Sequence, residues 1–435
     1  IPQFYRLNMP EGATGTRYQG LEATPAITGP VNFPLYRNTE PNDVKVLVFG
    51  DTQPRNDREI EYIEKDIIAE LGGTRASFGL TLGDIVFDNL NLYGHLTGAI
   101  ASLGVPWIYI PGNHDLDFTG DNQTDALGSW YSNFGPDYYS FTWGPAHFVV
   151  LNSVRWLVDE DGRRYRTGLG ADQLEFFRNE TERIDPGQLL VILTHIPFSQ
   201  STAWYDDAEK EAFFEILATH QNSVTLAAHT HRHYHHMLDS ADGYPGDTPH
   251  HMISVGTTCG SWWTGAPDEY GIPHSMMSDG TPTGYCWLHI SGNDWKLQWQ
   301  GARRPAGFQM HIDAPAAITE GEMTHVTVTA NVFNALPTAK VKMKIGQQEE
   351  WINMSNVIRT DSVLHRVVER EAELGAVPWR RLSRPVATPH LWEGMADVST
   401  LLPGTYMITV ESVDEWYSYT GRHYLQIRER PAIVE

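Results

Sequence analysis

The 435-residue chain is 41% hydrophobic and 11% aromatic, with 14 Trp, so it can build a large core and a smaller second one; at ~150 residues per domain its length allows about two to three domains. Charged residues make up 20% of it, which excludes low-hydrophobicity disorder for most of the chain, and no apolar run approaches the ~20 residues that span a bilayer. Lys and Arg total 31 against 54 Asp and Glu, a formal net charge of -23. That balance disfavours nucleic acid as a partner, because phosphate neutralisation supplies most of such affinity.

Residues 1–42 are rich in Pro, Gly, Thr and Asn but carry Phe4, Tyr5, Tyr18, Phe33 and Tyr36. They read as an irregular aromatic arm rather than a plain linker. From Val44 the texture changes. An apolar run at 44–49 stops at Gly50-Asp51, and helical spacing of Ile60, Ile63, Ile67, Ile68 and Leu71 follows, closed by Gly72-Gly73. A strand at 77–82 stops at Gly83-Asp84. A helical stretch at 90–103 leads to a strand at 105–110, which stops at Pro111-Gly112-Asn113-His114-Asp115. This alternation predicts βαβ units and a buried sheet.

Further strands are predicted at 147–152, 189–193, 224–228, 252–255, 285–290 and 295–300, with helices at 171–184 and 207–220. After about Pro305 the rhythm ends. Short β segments at 325–332, 340–345, 405–410 and 424–427, with one helix at 363–374, predict a β-rich terminal domain resembling a sandwich. The division expected is an arm at 1–42, an α/β domain at 43–304 and the β-rich domain at 305–435. Cys259 and Cys286 are the only cysteines, which excludes a disulfide-dense scaffold and leaves either one bridge or two buried thiols.

Five predicted strands end in a side chain able to ligate metal: Asp51, Asp84, Asn113, His195 and His229. An Asp after a strand also caps helices and opens turns, and a lone His is as readily a core residue. Five such endings in one chain are harder to explain that way, because sites in open α/β sheets form outside the carboxyl ends of the strands. Of the run His229, His231, His233, His235 and His236, the first two follow the strand directly. The last three are expected to include outer-shell or exposed residues.

Together, Gly50-Asp51-Thr52-Gln53, Gly83-Asp84 with Asp88, Gly112-Asn113-His114-Asp115, Thr194-His195 and His229-Thr230-His231 resemble the calcineurin-like metallophosphoesterases, in the family's order and over about residues 44–300. The arm Pro2-Gln3-Phe4-Tyr5, the segment Cys259-Gly260-Ser261-Trp262-Trp263 and the segment Gly271-Ile272-Pro273-His274 are similar to a bacterial branch with N-terminal and C-terminal accessory domains. On that likeness Ile1 is expected to begin inside or just after an N-terminal module.

The resemblance implies an α/β sandwich of two mixed sheets flanked by helices and a two-metal site. By motif position Asp51, Gln53, Asp84 and His231 would hold the first cation. Asp84, Asn113, His195 and His229 would hold the second, with Asp84 bridging. A water between two cations would be acidified to hydroxide and aimed at phosphorus. His114 would stabilise the transferring phosphoryl group or protonate the leaving oxygen, and Asp115 would orient its ring.

Two positions depart from the family pattern. Gln53 stands where many members have His, and Ala228 where many have Gly. An amide oxygen is harder than an imidazole nitrogen, which favours Mn²⁺ or Mg²⁺ over Zn²⁺ or Fe.

On the substrate side, Trp262, Trp263 and His274 lie in a long aromatic segment at 250–284. They either wall a pocket or attach the terminal domain. Arg55 either meets a substrate phosphate or is an exposed arginine at a helix start. The expected activity is hydrolysis of a small or medium phosphate ester. The alternatives are a phosphodiesterase or nuclease acting on nucleotides, and a non-catalytic metal-dependent binding protein. Seven Lys, many Trp and accessory β domains fit an exported bacterial protein, periplasmic or extracellular.

Overall fold

The computed structural model describes residues 41–430 except 161, 200–205 and 348–349, together with the backbone of two short antiparallel strands, Tyr5–Leu7 and Leu35–Arg37. The rest of the expected aromatic arm lies outside the described residues. The chain divides into two compact units. The first runs up to residue 231 and includes 236–263 and 284–298; the second takes 232–235, 264–283 and everything from 299 onward.

Two mixed sheets build the first unit. One has five strands in the order Asp294–Gly301, Gly284–Ser291, Asp43–Phe49, Phe78–Thr81 and Trp107–Tyr109. The other has six, in the order Tyr234–Leu238, His250–Ser254, Ser223–Ala227, Leu189–Leu193, Ala146–Val150 and Tyr139–Trp143. The central strands are buried along their length, as expected for parallel strands covered on both faces. Phe78 of the first sheet packs on Phe141, Trp143 and Phe148 of the second. Helices Ala171–Arg183 and Asp207–Ala218 cover the six-stranded sheet, where Phe177, Phe213 and Phe214 join Leu190 and Ile192 in one buried cluster.

Register then places the site. Phe49 pairs with Thr81 and Thr81 with Tyr109, all parallel. Val150 pairs with Leu193 and Leu193 with Leu226 in the same sense. The carboxyl ends of each set are therefore level, and the chain leaves them at Gly50-Asp51, Gly83-Asp84, Gly112-Asn113, Thr194-His195 and His229.

The helix expected from Asp57 to Leu71 changes type midway. Asp57–Ile63 is α-helical and Glu64–Ile68 is a π turn, in which Ala69 N–H reaches the Glu64 carbonyl at 2.8 Å. The wider turn leaves both Ile67 and Ile68 buried.

The second unit is β-rich, as expected. A four-stranded sheet runs Met310–Asp313, His325–Val332, Ala387–Asp397, Ser355–Thr360. A five-stranded sheet runs Ala317–Thr319, Ser418–Arg428, Gly404–Val413, Lys340–Ile345, Ile352–Asn353. Val328, Val341, Met343, Trp392, Ile408 and Leu425 share its core. Helix Ser362–Glu373 is capped by the Asp361 carboxylate, which accepts from Leu364 N–H.

Candidate metal centre

At the level strand ends of the first unit, Asp84, His195 and His229 each offer a ligand atom within 4.8 Å of the others. Close packing of loop backbones makes this possible. A Cβ on Gly112 would lie 2.1 Å from the Asp84 nitrogen, and one on Gly83, at φ 87°, would lie 2.4 Å from His195 Nδ1. Gln53, Asp84, His229 and His231 all have positive φ, between 44° and 65°. Such conformations cost about 1–3 kcal/mol each in non-glycine residues and persist where the surroundings over-determine them.

His195 is fully buried. Its Nδ1–H donates to the Leu82 carbonyl (2.8 Å), which turns Nε2 toward Asn113 Oδ1 at 3.0 Å and Asp84 Oδ1 at 3.3 Å. His229 Nδ1 lies 3.2 Å from the same Nε2, so two imidazole nitrogens converge on one point. His231 Nδ1–H donates to the Gly260 carbonyl (2.7 Å), leaving Nε2 at 3.4 Å from Asp51 Oδ2. Backbone carbonyls thus select the tautomer of both rings, a common support for metal-ligating histidines.

The electrostatics fit cations. Burial pushes the Asp51 carboxyl up to about 8, and its Oδ2 has no hydrogen-bond partner although it is buried. Burial and the neighbouring His195 push His229 down to about 3, and burial takes His231 to about 4. Both rings are therefore neutral, with lone pairs available. Burial opposes charge at Asp84 too, but His195 and His114 hold its carboxyl well below the usual range. Burial likewise disfavours a charged His195, yet Asp84 and Asp51 lift it to about 9. An orphaned carboxylate oxygen, converging imidazoles and an amide oxygen are a donor set for divalent cations.

Gln53 is buried beside Asp84, with Nε2 donating to Asp84 Oδ2 at 2.7 Å and Oε1 at 3.8 Å from the Cys259 sulfur. Cation binding through Oε1 would call for a half-turn of its amide. Cys259 and Cys286 are both buried free thiols, which decides between the two readings of the cysteines.

His114 is part-exposed beside the centre, and its backbone N–H donates to Asp84 Oδ1 at 2.9 Å. The expectation that Asp115 orients its ring is corrected. The Asp115 carboxylate instead accepts from the N–H groups of Ile85 (3.0 Å) and Gly112 (2.9 Å) and from the Tyr93 hydroxyl (3.1 Å), tying two ligand loops together. Burial, then the Asp84 charge, push its carboxyl up to about 7. The residue that does orient His114 is Asp88, whose Oδ1 is 2.6 Å from Nδ1. Phe87 stacks on the same imidazole at 4.2 Å. Asp88 stands four residues after Asp84, and that spacing was the only hint of its role.

Arg55 is not an exposed helix-start residue. Its guanidinium lies 4.0 Å over the Phe87 ring, donates to the Trp262 carbonyl at 3.1 Å and sits 3.9 Å from the Glu59 carboxylate. Trp262 stacks on His231 at 4.0 Å. Trp263 is buried, its indole N–H donates to the Thr52 carbonyl (3.2 Å), and it packs on Tyr62. His274 belongs to the second unit. His233 and His235 are buried within the second unit against Asn334, while His236 is part-exposed. Tyr165, missed in the sequence, is half-buried, and burial and the Asp84 and Asp88 charges raise its hydroxyl above the ordinary value.

A buried carboxylate beside the neutral imidazoles of His229 and His231, at the strand ends of a two-sheet α/β unit, is a donor set suited to divalent cations. The family comparison is specific. Residues 44–233 match the model described as calcineurin-like phosphoesterase, and residues 253–420 match that of the C terminal of calcineurin-like phosphoesterase. The chain belongs to the calcineurin-like phosphoesterases.

Among solved structures, a purple acid phosphatase from yellow lupin (Lupinus luteus) seeds is 14% identical, with a TM-score of 0.45 over 62% of this chain and 54% of that one. The chain therefore spans about half the length of that enzyme. An endo-beta-1,4-mannanase from Thermotoga petrophila is 11% identical, with a TM-score of 0.18 over 86% of this chain and 73% of that one. At such scores neither likeness bears on fold or function. No curated protein matches the chain.

Proposed function

We propose that the chain hydrolyses small or medium phosphate esters, monoester or diester, with two divalent cations. Asp51, Gln53, Asp84 and His231 would hold one, and Asp84, Asn113, His195 and His229 the other. The observation that carries this reading is the meeting of Asp84, His195 and His229 next to the orphaned Asp51 Oδ2. When bound, the cations supply Lewis acidity toward phosphoryl oxygens and a water acidic enough to attack near neutral pH.

The chain's own residues do the rest. Asp88 accepts from His114 Nδ1–H and so leaves Nε2 as the atom that exchanges a proton with a leaving oxygen. Stacking on Phe87 restrains the ring. Arg55, part-buried over the Phe87 ring and ion-paired with Glu59, would turn its guanidinium to a phosphate oxygen. Mn²⁺ or Mg²⁺ is the favoured cation, because the amide oxygen of Gln53 is a hard ligand. Hydrolysis of nitrophenyl phosphate and bis-nitrophenyl phosphate with Mn²⁺, Mg²⁺, Zn²⁺ or chelator tests the reading. Activity that needs metal and prefers one ester assigns the reaction class; zinc held tightly in both sites of protein purified without added metal would overturn the metal preference.

A further inference from the structure

We propose that Tyr165 is a substrate-contacting residue of the centre: its hydroxyl donates a hydrogen bond to a phosphoryl oxygen of the bound ester. The proposal rests on the phosphoesterase reading above and deepens it.

Tyr165 lies on a hairpin of strands Val154–Asp159 and Gly162–Thr167, which forms a two-stranded sheet of its own in the first unit. The hairpin follows the end of strand Ala146–Val150. Val150 pairs with Leu193, so that end is level with the end of the strand that leads into His195. The hairpin therefore rises from the carboxyl-end side of the sheet, where the ligands stand.

Two ligand-bearing loops hold it there. At its base, Ser153 Oγ accepts from the N–H of Ile196 (2.8 Å), the residue after His195, and the Ser153 carbonyl accepts from Gly168 N–H (3.1 Å). Its flank is bonded to the loop that follows Asn113 and His114. The Trp156 indole N–H and Arg163 Nε–H both donate to the Gly120 carbonyl, at 3.0 and 3.2 Å. The Gln123 side chain accepts from Trp156 N–H (2.6 Å) and donates to the Val154 carbonyl (3.1 Å). Phe118 packs edge-on against the Trp156 ring.

Register sets which way Tyr165 faces. Trp156 pairs with Tyr165 and Val154 with Thr167, so these four side chains share one face of the hairpin. Val154, Trp156 and Thr167 are buried on that face, whereas Tyr165 is only half-buried. Its hydroxyl has no hydrogen-bond partner among the described residues, and the charges that act on it are those of Asp84 and Asp88, the proposed bridging ligand and the partner of His114. Burial and these charges keep the hydroxyl protonated, so it is a donor without an acceptor. A charged phosphoryl oxygen supplies that acceptor.

The test compares the full-length wild type with Tyr165→Phe in Mn²⁺, Mg²⁺ or Zn²⁺. Hydrolysis of nitrophenyl phosphate and bis-nitrophenyl phosphate is measured, and binding of inorganic phosphate to the metal-loaded protein is followed by calorimetry. The variant keeps the ring and removes one oxygen that bonds to no described residue, so Tm and bound metal are expected to match wild type. The phosphate Kd, and KM for the ester that wild type cleaves, are each expected to rise about 10-fold or more, the scale of a lost hydrogen bond to a charged group. The contact is made to the ground state and the transition state alike, so kcat is expected to stay within about 3-fold. Unchanged KM and phosphate Kd overturn the proposal alone. So does a loss that comes with less bound metal or a lower Tm, which would make Tyr165 a support of the fold. A wild type that cleaves neither ester with any of the three cations overturns the phosphoesterase reading and the role of Tyr165 with it.

Discussion

Two regions of this molecule bury the same kinds of side chain and treat them differently. At the strand ends of the first unit, Asp51, Asp84, His195 and His229 crowd together with an unpartnered carboxylate oxygen and a carboxyl raised to about 8. In the second unit, Asp279, His390, Asn331 and Asp361 lie equally deep but are mutually satisfied. His390 Nδ1–H donates to Asn331 Oδ1 (2.6 Å), and the Asn331 amide donates to Asp361 Oδ2 (2.8 Å) and to the Asp279 carbonyl (2.9 Å). A finished network contributes rigidity, whereas one that leaves a buried charge unsatisfied is costly unless something else completes it. On the proposed reading cations complete the first network, whereas the second is completed by its own hydrogen bonds, so cation chemistry is the way to separate them.

Asp84→Asn should have the largest effect. Removing the carboxylate shared by both ligand sets is expected to lower kcat/KM by at least about 10³-fold, roughly 4 kcal/mol of barrier, and to reduce bound metal in elemental analysis. Folding should survive, because the amide is isosteric. Wild-type rates in the variant would mean that the crowded carboxylates are structural, as in the second unit.

Next comes the orienting pair. His114→Ala is expected to cost about 10²–10⁴-fold in kcat, more for an alkyl phosphate than for a nitrophenyl ester, whose leaving group needs little protonation. Asp88→Asn should cost about 10- to 100-fold with metal content unchanged. Asp115→Asn should act chiefly on stability, seen as a lower Tm, since its oxygens hold loop N–H groups. An Asp115→Asn variant with the kinetic signature expected of Asp88→Asn would restore Asp115 as the orienting residue.

The contrast also bears on what could be read from the chain. Strand ends were legible because continuous apolar runs stop abruptly at Gly50-Asp51 and Gly83-Asp84, where water-facing and core-facing chemistry meet. Asp88 was not, because left-handed residues at Asp84 and Asp88 fold that loop back onto His114, and no periodicity records such a turn. The longest missed strand of the second unit, Ala387–Asp397, was hidden by Pro389 and Gly394, residues that ordinarily end strands. Pro389 is tolerated because the paired strand shifts register opposite it, between Val357 and Arg359. His233 and His235 looked solvated because their acceptor, Asn334, lies about a hundred residues away in sequence.

Acid should sharpen the comparison from the other side. Burial opposes the Asp279 charge, but the hydrogen bonds and charge of His390, then the Thr281 and His233 N–H groups, hold its carboxyl below the ordinary 3.8. A carboxyl lowered in the folded state contributes stability that is present above the unfolded value and lost as pH falls through the folded one. The Tm difference between wild type and Asp279→Asn should therefore be constant from about pH 7 to 5 and shrink below about 3.8. A difference that grows on acidification would show that the second network is not satisfied in its charged form.

The smallest effect concerns Trp262, which covers one face of His231 while its carbonyl receives Arg55. The carbonyl belongs to the backbone, so Trp262→Ala keeps the Arg55 bond in principle and removes only the stacking ring. Its φ of 58° is no easier for alanine than for tryptophan, so relaxation there works against the variant. We expect about a 2- to 5-fold weakening of cation affinity, on the scale of a lost aromatic contact worth ~0.5–1 kcal/mol, with kcat at saturating metal nearly unchanged. A large rise in KM at saturating metal would instead assign the ring to substrate. Trp262 would then be the one aromatic of the Cys259–Trp263 segment to face the ester, because Trp263 is already committed to Thr52 and Tyr62.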